Sequence, residues 1–347
     1  MPYTTINKSS DHFNIKLYVG NGSDGHSITG VGFKPDWVWT KNRDHAADHY
    51  VHDIVRGVEK AIRPNVASGT YDTSINLQSF DTDGFTVGTQ DGLNKSGDNI
   101  VSWNWLAGGN AGSSNSSGST SSTVSANTTS GFSIVKYTNP SSGSPFTVGH
   151  GLGAAPKMII TKNISASQTW GVWHTSLGFG KYLRLDSTAT DASANLVTAT
   201  STTTFSSYYD HHTAGNEIIA YCFAEKTGFS RFGDYTGNGS TDGTFVYTGF
   251  KPAFVIVKNT TATANWVMTD NKISFNGKGS NESTVLFPSS SAVENDGYGL
   301  QLFSNGFKFA GGDSASATVN ASGNIYIYMA FAEVPLVGSN NVPAMAR

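Results

Sequence analysis

The stretch Gly249-Phe250-Lys251-Pro252-Ala253-Phe254-Val255-Ile256-Val257-Lys258-Asn259, with the turn Tyr235-Thr236-Gly237-Asn238-Gly239 ahead of it, decides how the chain is read. It is a glycine turn followed by a proline-started apolar strand that ends in Lys-Asn. The same phrase stands near the start, as Tyr18-Val19-Gly20-Asn21-Gly22 and then Gly32-Phe33-Lys34-Pro35-Asp36-Trp37-Val38-Trp39-Thr40-Lys41-Asn42. A worn copy lies between, as Tyr137-Thr138-Asn139-Pro140 and then Gly153-Ala154-Ala155-Pro156-Lys157-Met158-Ile159-Ile160-Thr161-Lys162-Asn163. Proline and asparagine are seven residues apart in every copy, at 35 and 42, 156 and 163, 252 and 259. A closing phrase recurs as well: Gly97-Asp98-Asn99-Ile100-Val101, Gly215-Asn216-Glu217-Ile218-Ile219 and Gly323-Asn324-Ile325-Tyr326-Ile327. Shared openings and shared closings mark one unit used three times.

Period-2 alternation in segments such as Phe13-Asn14-Ile15-Lys16-Leu17, strands of five to eight residues, and Gly, Asn and Asp punctuation predict an all-β protein. The expected architecture is three related antiparallel β-sandwich (jelly-roll-like) modules. Their expected bounds are 1–107, 132–226 and 227–336. The Ser/Gly/Thr-rich tract 108–131 reads as a flexible linker and 337–347 as a C-terminal arm. Only Thr227-Gly228 separates the last two modules, so they are expected to pack together, with the first more loosely attached. The best helical candidate is a turn or two at residues 55–60.

Charged residues are only 14% of the 347, against about 25% in ordinary globular chains, and aromatic residues are 12%. That balance excludes a disordered chain. The formal net charge is −3 and the 22 basic residues are scattered, which argues against nucleic-acid binding. The one cysteine, Cys222, lies in an apolar run and reads as a buried, inert thiol. Residues 1–16 lack a basic-then-apolar signal pattern, and no apolar run approaches the ~20 residues of a membrane helix. The expectation is a chain made in the cytoplasm, with no membrane insertion.

Few residues offer chemistry. Asp44-His45, Asp48-His49 and His52-Asp53 crowd into ten residues, but on a strand His49 and His52 face opposite ways, so no metal site is expected. The turns Ser23-Asp24-Gly25, Asp81-Thr82-Asp83-Gly84 and Thr241-Asp242-Gly243 read as hairpin turns, since the rest of a calcium loop is missing. The Gly-Asn-Gly turns lack the lysine and the following helix of a phosphate loop. The i, i+2 pairs Trp37/Trp39 and Trp103/Trp105 each share one strand face, either as packing or as a binding platform. No acid, base or nucleophile motif emerges, so a non-enzyme needing no cofactor and no metal is expected. The candidate binding residues are Trp37, Trp39, His49, His52, Tyr208, Tyr209 and His211, the tryptophans on strands and the others in the segments 44–53 and 208–212, which mix aromatic and polar groups. Replacing His49, His52, Tyr208 and Tyr209 with alanine is expected to reduce adsorption or assembly and leave the fold intact.

The repeated Tyr-x-Gly-Asn-Gly and Gly-Phe-Lys-Pro phrases carry a resemblance, as do the closing Ala-Phe-Ala-Glu, the opening Tyr3-Thr4-Thr5-Ile6 and the run Tyr221 to Gly233. Over nearly its whole length the chain resembles an uncharacterised β-rich repeat domain of tailed phages of marine bacteria, cyanophages and pelagiphages among them. The middle copy departs from the pattern, with Asn139-Pro140 in place of Gly-Asn-Gly. The resemblance implies a virion structural protein, tail-fibre-like, that takes part in recognising the host surface. A capsid decoration protein and a polysaccharide depolymerase are the alternatives. The implied partners are further copies of itself (a trimer), other virion proteins, and a host-surface glycan or protein.

Overall fold

The computed structural model describes residues 4–141, 145–208, 212–273, 283–310 and 316–335. Each repeat builds four antiparallel strands in one order, those of the second repeat within an eight-stranded sheet. In the first, Phe13–Val19 pairs with the closing strand Asn99–Trp105, then come Trp37–Asn42 and Tyr50–Asp53. The second uses Phe132–Thr138, Glu217–Phe223, Met158–Asn163 and Gly171–His174. The third uses Ser230–Thr236, Ile325–Pro335, Phe250–Asn259 and Val267–Asp270. The strand that carries the repeated proline-to-asparagine spacing always lies between the closing strand and a hairpin partner and always ends at the asparagine; in the third unit it begins earlier, at Phe250, ahead of the proline.

A smaller three-stranded sheet covers the outer face of each large one. These are His26–Thr29, Gly84–Val87 and Leu77–Asp81; Phe146–Gly149, Thr204–Ser207 and Ala199–Thr200; and Val246–Tyr247, Gly306–Phe309 and Leu300–Phe303. Each unit is thus a sandwich with its own core, built around Val38 and Phe85, Ile159 and Phe205, or Val255 and Phe307. The all-β, sandwich-type reading holds.

The inner faces of the three large sheets meet in one further core. Its centre is aromatic. Trp37 stands 4.7 Å from Tyr221 of the second unit, Phe13 stands 5.1 Å from Phe331 of the third, and Phe223 and Phe331 approach to 6.1 Å. Both faces of each proline-started strand are therefore buried, and all six residues of Trp37–Asn42 and of Met158–Asn163 are inaccessible. The near-continuous apolar run Ala253 to Val257 is what two-sided burial demands, since alternation suits a sheet with one wet face.

Two expectations about organisation are corrected. The first unit is not loosely attached, because it supplies Phe13, Trp37, Trp39, Trp103 and Trp105 to the shared core. Nor is 108–131 a linker. Ser113–Asn115 and Ser122–Asn127 add two strands to the second unit's sheet beside Phe132–Thr138. Serine and threonine suffice there because an outer edge needs ladder hydrogen bonds more than apolar bulk, and Val124 anchors it. The Asp36 carboxylate fixes the entry by accepting from the amides of Ala107 and Gly109 at 2.8 and 2.7 Å. The segment 55–60 holds turns in place of a helix.

Polar staples close the seams between units. Seven residues after each repeated asparagine stands a ring nitrogen: His49, Trp170 and Trp266. Trp39 donates to Nδ1 of His49 at 3.0 Å, which leaves Nε2 as the protonated nitrogen; it donates to the Phe287 carbonyl at 3.0 Å. Trp170 donates to the Arg63 carbonyl at 3.0 Å and Trp266 to that of Arg184 at 2.8 Å. The three acceptors are structurally equivalent. Each follows a residue (Ile62, Leu183 or Leu286) that pairs with Val51, Val172 or Met268 of the hairpin strand. The bonds run from first unit to third, second to first and third to second, which is a closed ring.

Lys-Asn serves the same seams. Lys162 donates to the Ala67 carbonyl of the first unit at 2.7 Å, and Lys258 to the Thr188 carbonyl of the second at 3.0 Å. Each asparagine side chain then accepts from two amides of the next turn: Asn42 from Asp44 and His45, Asn163 from Ser165 and Ala166, Asn259 from Thr261 and Ala262. The glycines before the motif answer to close approach. A Cβ on Gly20 or Gly237 would lie 2.2 Å from the Lys95 carbonyl oxygen or 2.3 Å from that of Ala321.

One shared core and a closed ring of staples predict one cooperative melting transition for all three units. Trp266→Phe should lower stability by about 1–3 kcal/mol, the cost of a buried carbonyl left without its donor. That loss should move the whole calorimetric transition. A separable melting peak for the third unit would contradict this arrangement.

Candidate functional site

Most of the residues singled out from sequence are structural. Trp37, Trp39, His49 and His52 are all buried, His49 and His52 at 0% exposure. None can meet a ligand at the surface, and the two histidines lie on opposite faces of their strand. Val51, between them, faces the shared core. Removing these side chains would open the core, so the expectation that the fold survives replacement of His49 and His52 is corrected. Tyr208 is half-buried and its amide donates to the Asn195 carbonyl at 3.1 Å. Tyr209 and His211 lie outside the described residues. Cys222 is fully buried, and burial pushes its thiol well up from the ordinary range.

The acidic turn at 81–84 also does structural work. Asp83 accepts from the amides of Gly30 and Gly32 at 3.0 and 2.6 Å, which hold its carboxyl below the usual range. Among the described residues no three His, Cys, Asp or Glu side chains come together as a metal-ligating group.

The buried histidines are neutral for a physical reason. Desolvation pushes His52 down to about 3, helped by the neighbouring Arg56 charge. His52 has no hydrogen-bond partner on either ring nitrogen. Desolvation takes His174 down to about 4, against the pull of its bond to the Tyr328 carbonyl of the third unit at 3.1 Å. Burial first, then the charge of Lys41, takes His49 well below its ordinary value. Asp36 moves the other way, raised by burial to about 6.

The accessible chemistry collects at the seam between the first and second units. A cleft of about 380 Å³ opens there. One wall is the two-stranded ribbon in which Lys60 and Asp72 stand opposite each other. The other carries the ion pair of Lys136 and Glu217, 3.0 Å apart. Thr70 ties the ribbon to the second unit by donating its hydroxyl to the Ile164 carbonyl at 3.0 Å, and Ser165 accepts from the Glu217 amide at 3.0 Å. At the base Arg56 is committed to Asp53, at 2.5 Å, and to the carbonyls of Lys60 and Val51. A second depression of about 260 Å³ shares Lys136 and Glu217 and runs onto Ser114, Ser122, Thr123 and Thr138. The two form a polar groove whose hydroxyls come largely from the tract that composition alone marks as linker. Its groups suit hydrogen bonding to a polar ligand, with two ammonium groups, Lys60 and Lys136, and two carboxylates, Asp72 and Glu217, on its walls.

A family model described as Domain of unknown function (DUF7483) matches residues 8–335. The chain belongs to the DUF7483 family. No curated protein and no solved structure matches it. The DUF7483 match runs through all three repeats and the tract between them, so the family's unit is the whole three-sheet assembly and not the single repeat. No helix among the described residues is long and apolar enough to cross a membrane.

Sequence reasoning missed the groove because its residues come from six separate segments. It had a signal for His49: the residue stands at the same distance after Asn42 as Trp170 after Asn163 and Trp266 after Asn259. That register marks it as a core staple.

The neutral histidines set an acid limit on stability. Between pH 6.5 and the folded values of His52 and His174, the unfolded chain binds more protons than the folded one. Stability therefore falls as pH drops below about 6.5. At pH 5 each of the two costs about 2 kcal/mol, at about 1.36 kcal/mol per pH unit. Asp36, with its raised value, returns about 1 kcal/mol over the same interval. Thermal melts from pH 7 to pH 5 should show a falling midpoint, and His52→Leu should flatten the slope.

Proposed function

We propose that this DUF7483 protein is a structural component of a tailed-phage particle, tail-fibre-like, that contacts the host surface by binding and not by bond breaking. The observation that carries the reading is the polar groove at the first seam, where hydroxyls and paired charges are presented on rigid sheets. Strongly shifted groups such as His52, His174 and Cys222 are sealed in the cores away from any solute. A catalyst would need such groups in an accessible cleft. The resemblance of the repeated phrases to phage repeat domains supplies the particle context. In that context the chain acts as a homo-oligomer, a trimer by analogy with phage fibres, beside other virion proteins.

Two measurements test the proposal. Mass spectrometry of purified particles encoding this chain should find it at fixed copy number. Purified protein should compete with those particles for adsorption to host cells. Lys60→Ala with Asp72→Ala should weaken competition about fivefold, a loss of about 1 kcal/mol, without moving the melting temperature, because both side chains sit at the groove rim. Absence of the chain from particles, or adsorption unaffected by saturating protein, would refute the reading. Release of reducing sugar from host polysaccharide would replace it with the depolymerase alternative.

A further inference from the structure

Among the described residues, the third unit carries a cluster of exposed rings that the other two units lack. Phe245, Tyr247 and Phe303 are 47%, 54% and 36% exposed. They stand on the outer sheet. Val246, between the first two, points into the core, so Phe245 and Tyr247 share the outward face. Phe303 pairs with Gly306, and so does Tyr247 from the other side. Phe245 and Phe303 meet edge to face at 5.7 Å. Phe245 lies across Gly306, where an added Cβ would come within 2.8 Å of its ring. The missing side chain seats the ring, so the surface is preorganised.

The repeats provide an internal control. Val246 pairs with Phe307 as Ile28 pairs with Phe85 and Val148 with Phe205. That register places Ser27 and Thr147 where the third unit has Phe245, and Thr29 and Gly149 where it has Tyr247. Asp81, paired with Gly84, takes the place of Phe303. Ser27 and Thr29 are solvent-exposed. In the second unit the same edge is covered by the chain itself, through the bridge of Thr120 to Val148 and the bond from the Thr147 amide to Ser119 at 2.9 Å. The fold thus needs no aromatic residue at these places, and three large exposed rings have no role in folding to explain them.

We infer that Phe245, Tyr247 and Phe303 form a stacking platform for a neutral saccharide. Among the described residues, Lys308 stands beside the rings and forms an ion pair with Asp242. Lys308 also lies over Phe303, 5.6 Å from the ring centre. With its charges internally matched, the face suits an uncharged ligand and disfavours an anionic one. A pyranose fits that demand. Its axial C–H groups form an apolar, weakly positive face that packs on the negative face of an aromatic ring. Its hydroxyls can reach the Tyr247 phenol and the exposed Asp242 carboxylate. Three rings on one narrow sheet match a few sugar units, whereas a stable protein interface takes roughly 20–30 residues a side. This adds a ligand class to the recognition role above and rests on that reading only for whose surface the sugar belongs to.

The experiment titrates the full chain with maltohexaose, cellohexaose and mannohexaose by calorimetry and ligand-observed NMR. At least one should bind with a dissociation constant of about 1 mM or tighter. Phe245→Ser with Tyr247→Thr and Phe303→Asp, the residues of the first unit, should weaken that binding at least tenfold and leave the melting temperature in place. Tyr247→Phe should retain most of it, because stacking survives loss of the hydroxyl. No binding of any of the three at about 10 mM, or binding that the triple variant retains, would overturn the inference. So would a triple variant that changes only the sedimentation of the protein, since the face would then be a contact between copies. Sugar binding by a protein absent from phage particles would leave the platform standing and remove the virion reading.

Discussion

Everything in this molecule depends on each large sheet being buried on both faces. One face closes a private sandwich against a small sheet, and the other joins two sister sheets around a common aromatic centre. A single repeat could complete the first arrangement alone. It could not complete the second, because Trp37, Phe223 and Phe331 find their partners across unit boundaries. Burying such rings is worth about 1.5–3 kcal/mol each, and that stabilisation is available only when all three sheets are present. The repeat is therefore a unit of sequence and topology, while the unit of stability is the set of three.

Two-sided burial creates a difficulty at the sheet ends, where polar backbone must leave the core. The Lys-Asn pair resolves it. Lys41, Lys162 and Lys258 are inaccessible, and burial draws each down to about 8. An ammonium there suffers a desolvation penalty, but it carries three donors on a long stem. Each reaches carbonyls that would otherwise be orphaned, at 2.7 Å for both Lys41 to Asn42 and Lys258 to Ala264. An apolar residue would avoid the penalty and leave those carbonyls unmatched. The seam between first and third units, where Lys41 bonds within its own unit, is closed by Arg43 and Glu294 at 2.6 Å.

The repeat made the topology readable. The constant spacing from proline to asparagine marked the same strand in each copy, and the copies duly take one place in their sheets, although the third strand starts ahead of its proline. The tryptophan pairs were read as sharing a face, and they do, on the shared core. How the sheets met was harder to see. Whether Phe254 faces its own sandwich or a sister sheet depends on contacts between residues hundreds of positions apart, and no local pattern encodes them. Tract 108–131 misled because composition reports the lack of apolar residues and not the presence of a partner edge. The seam groove was illegible for the same reason, since Lys60 and Lys136 belong to different units.

Comparison of the copies separates what the fold needs from what it merely carries. At the end of the hairpin strand stand Asp53, His174 and Asp270, two carboxylates and one imidazole. Asp53 accepts from the Tyr221 hydroxyl at 2.7 Å, Asp270 from the Trp103 ring at 2.8 Å, and His174 donates to the Tyr328 carbonyl. Each bond crosses to the next unit, so the residue changed while its task did not. When the acceptor became a histidine, the partner position became Met329, which has no donor to offer, and the bond moved to the neighbouring backbone. Such paired change is the mark of a structural site. Phe245, Tyr247 and Phe303 show the opposite pattern. Their counterparts Ser27, Thr29 and Asp81 support the same strand pairing, and no buried partner changes with them. A difference that the core does not compensate is free to answer to something outside the molecule. On that criterion the outer sheet of the third unit, and not the histidine-rich hairpin, is the place where the chain is free to answer to an outside ligand.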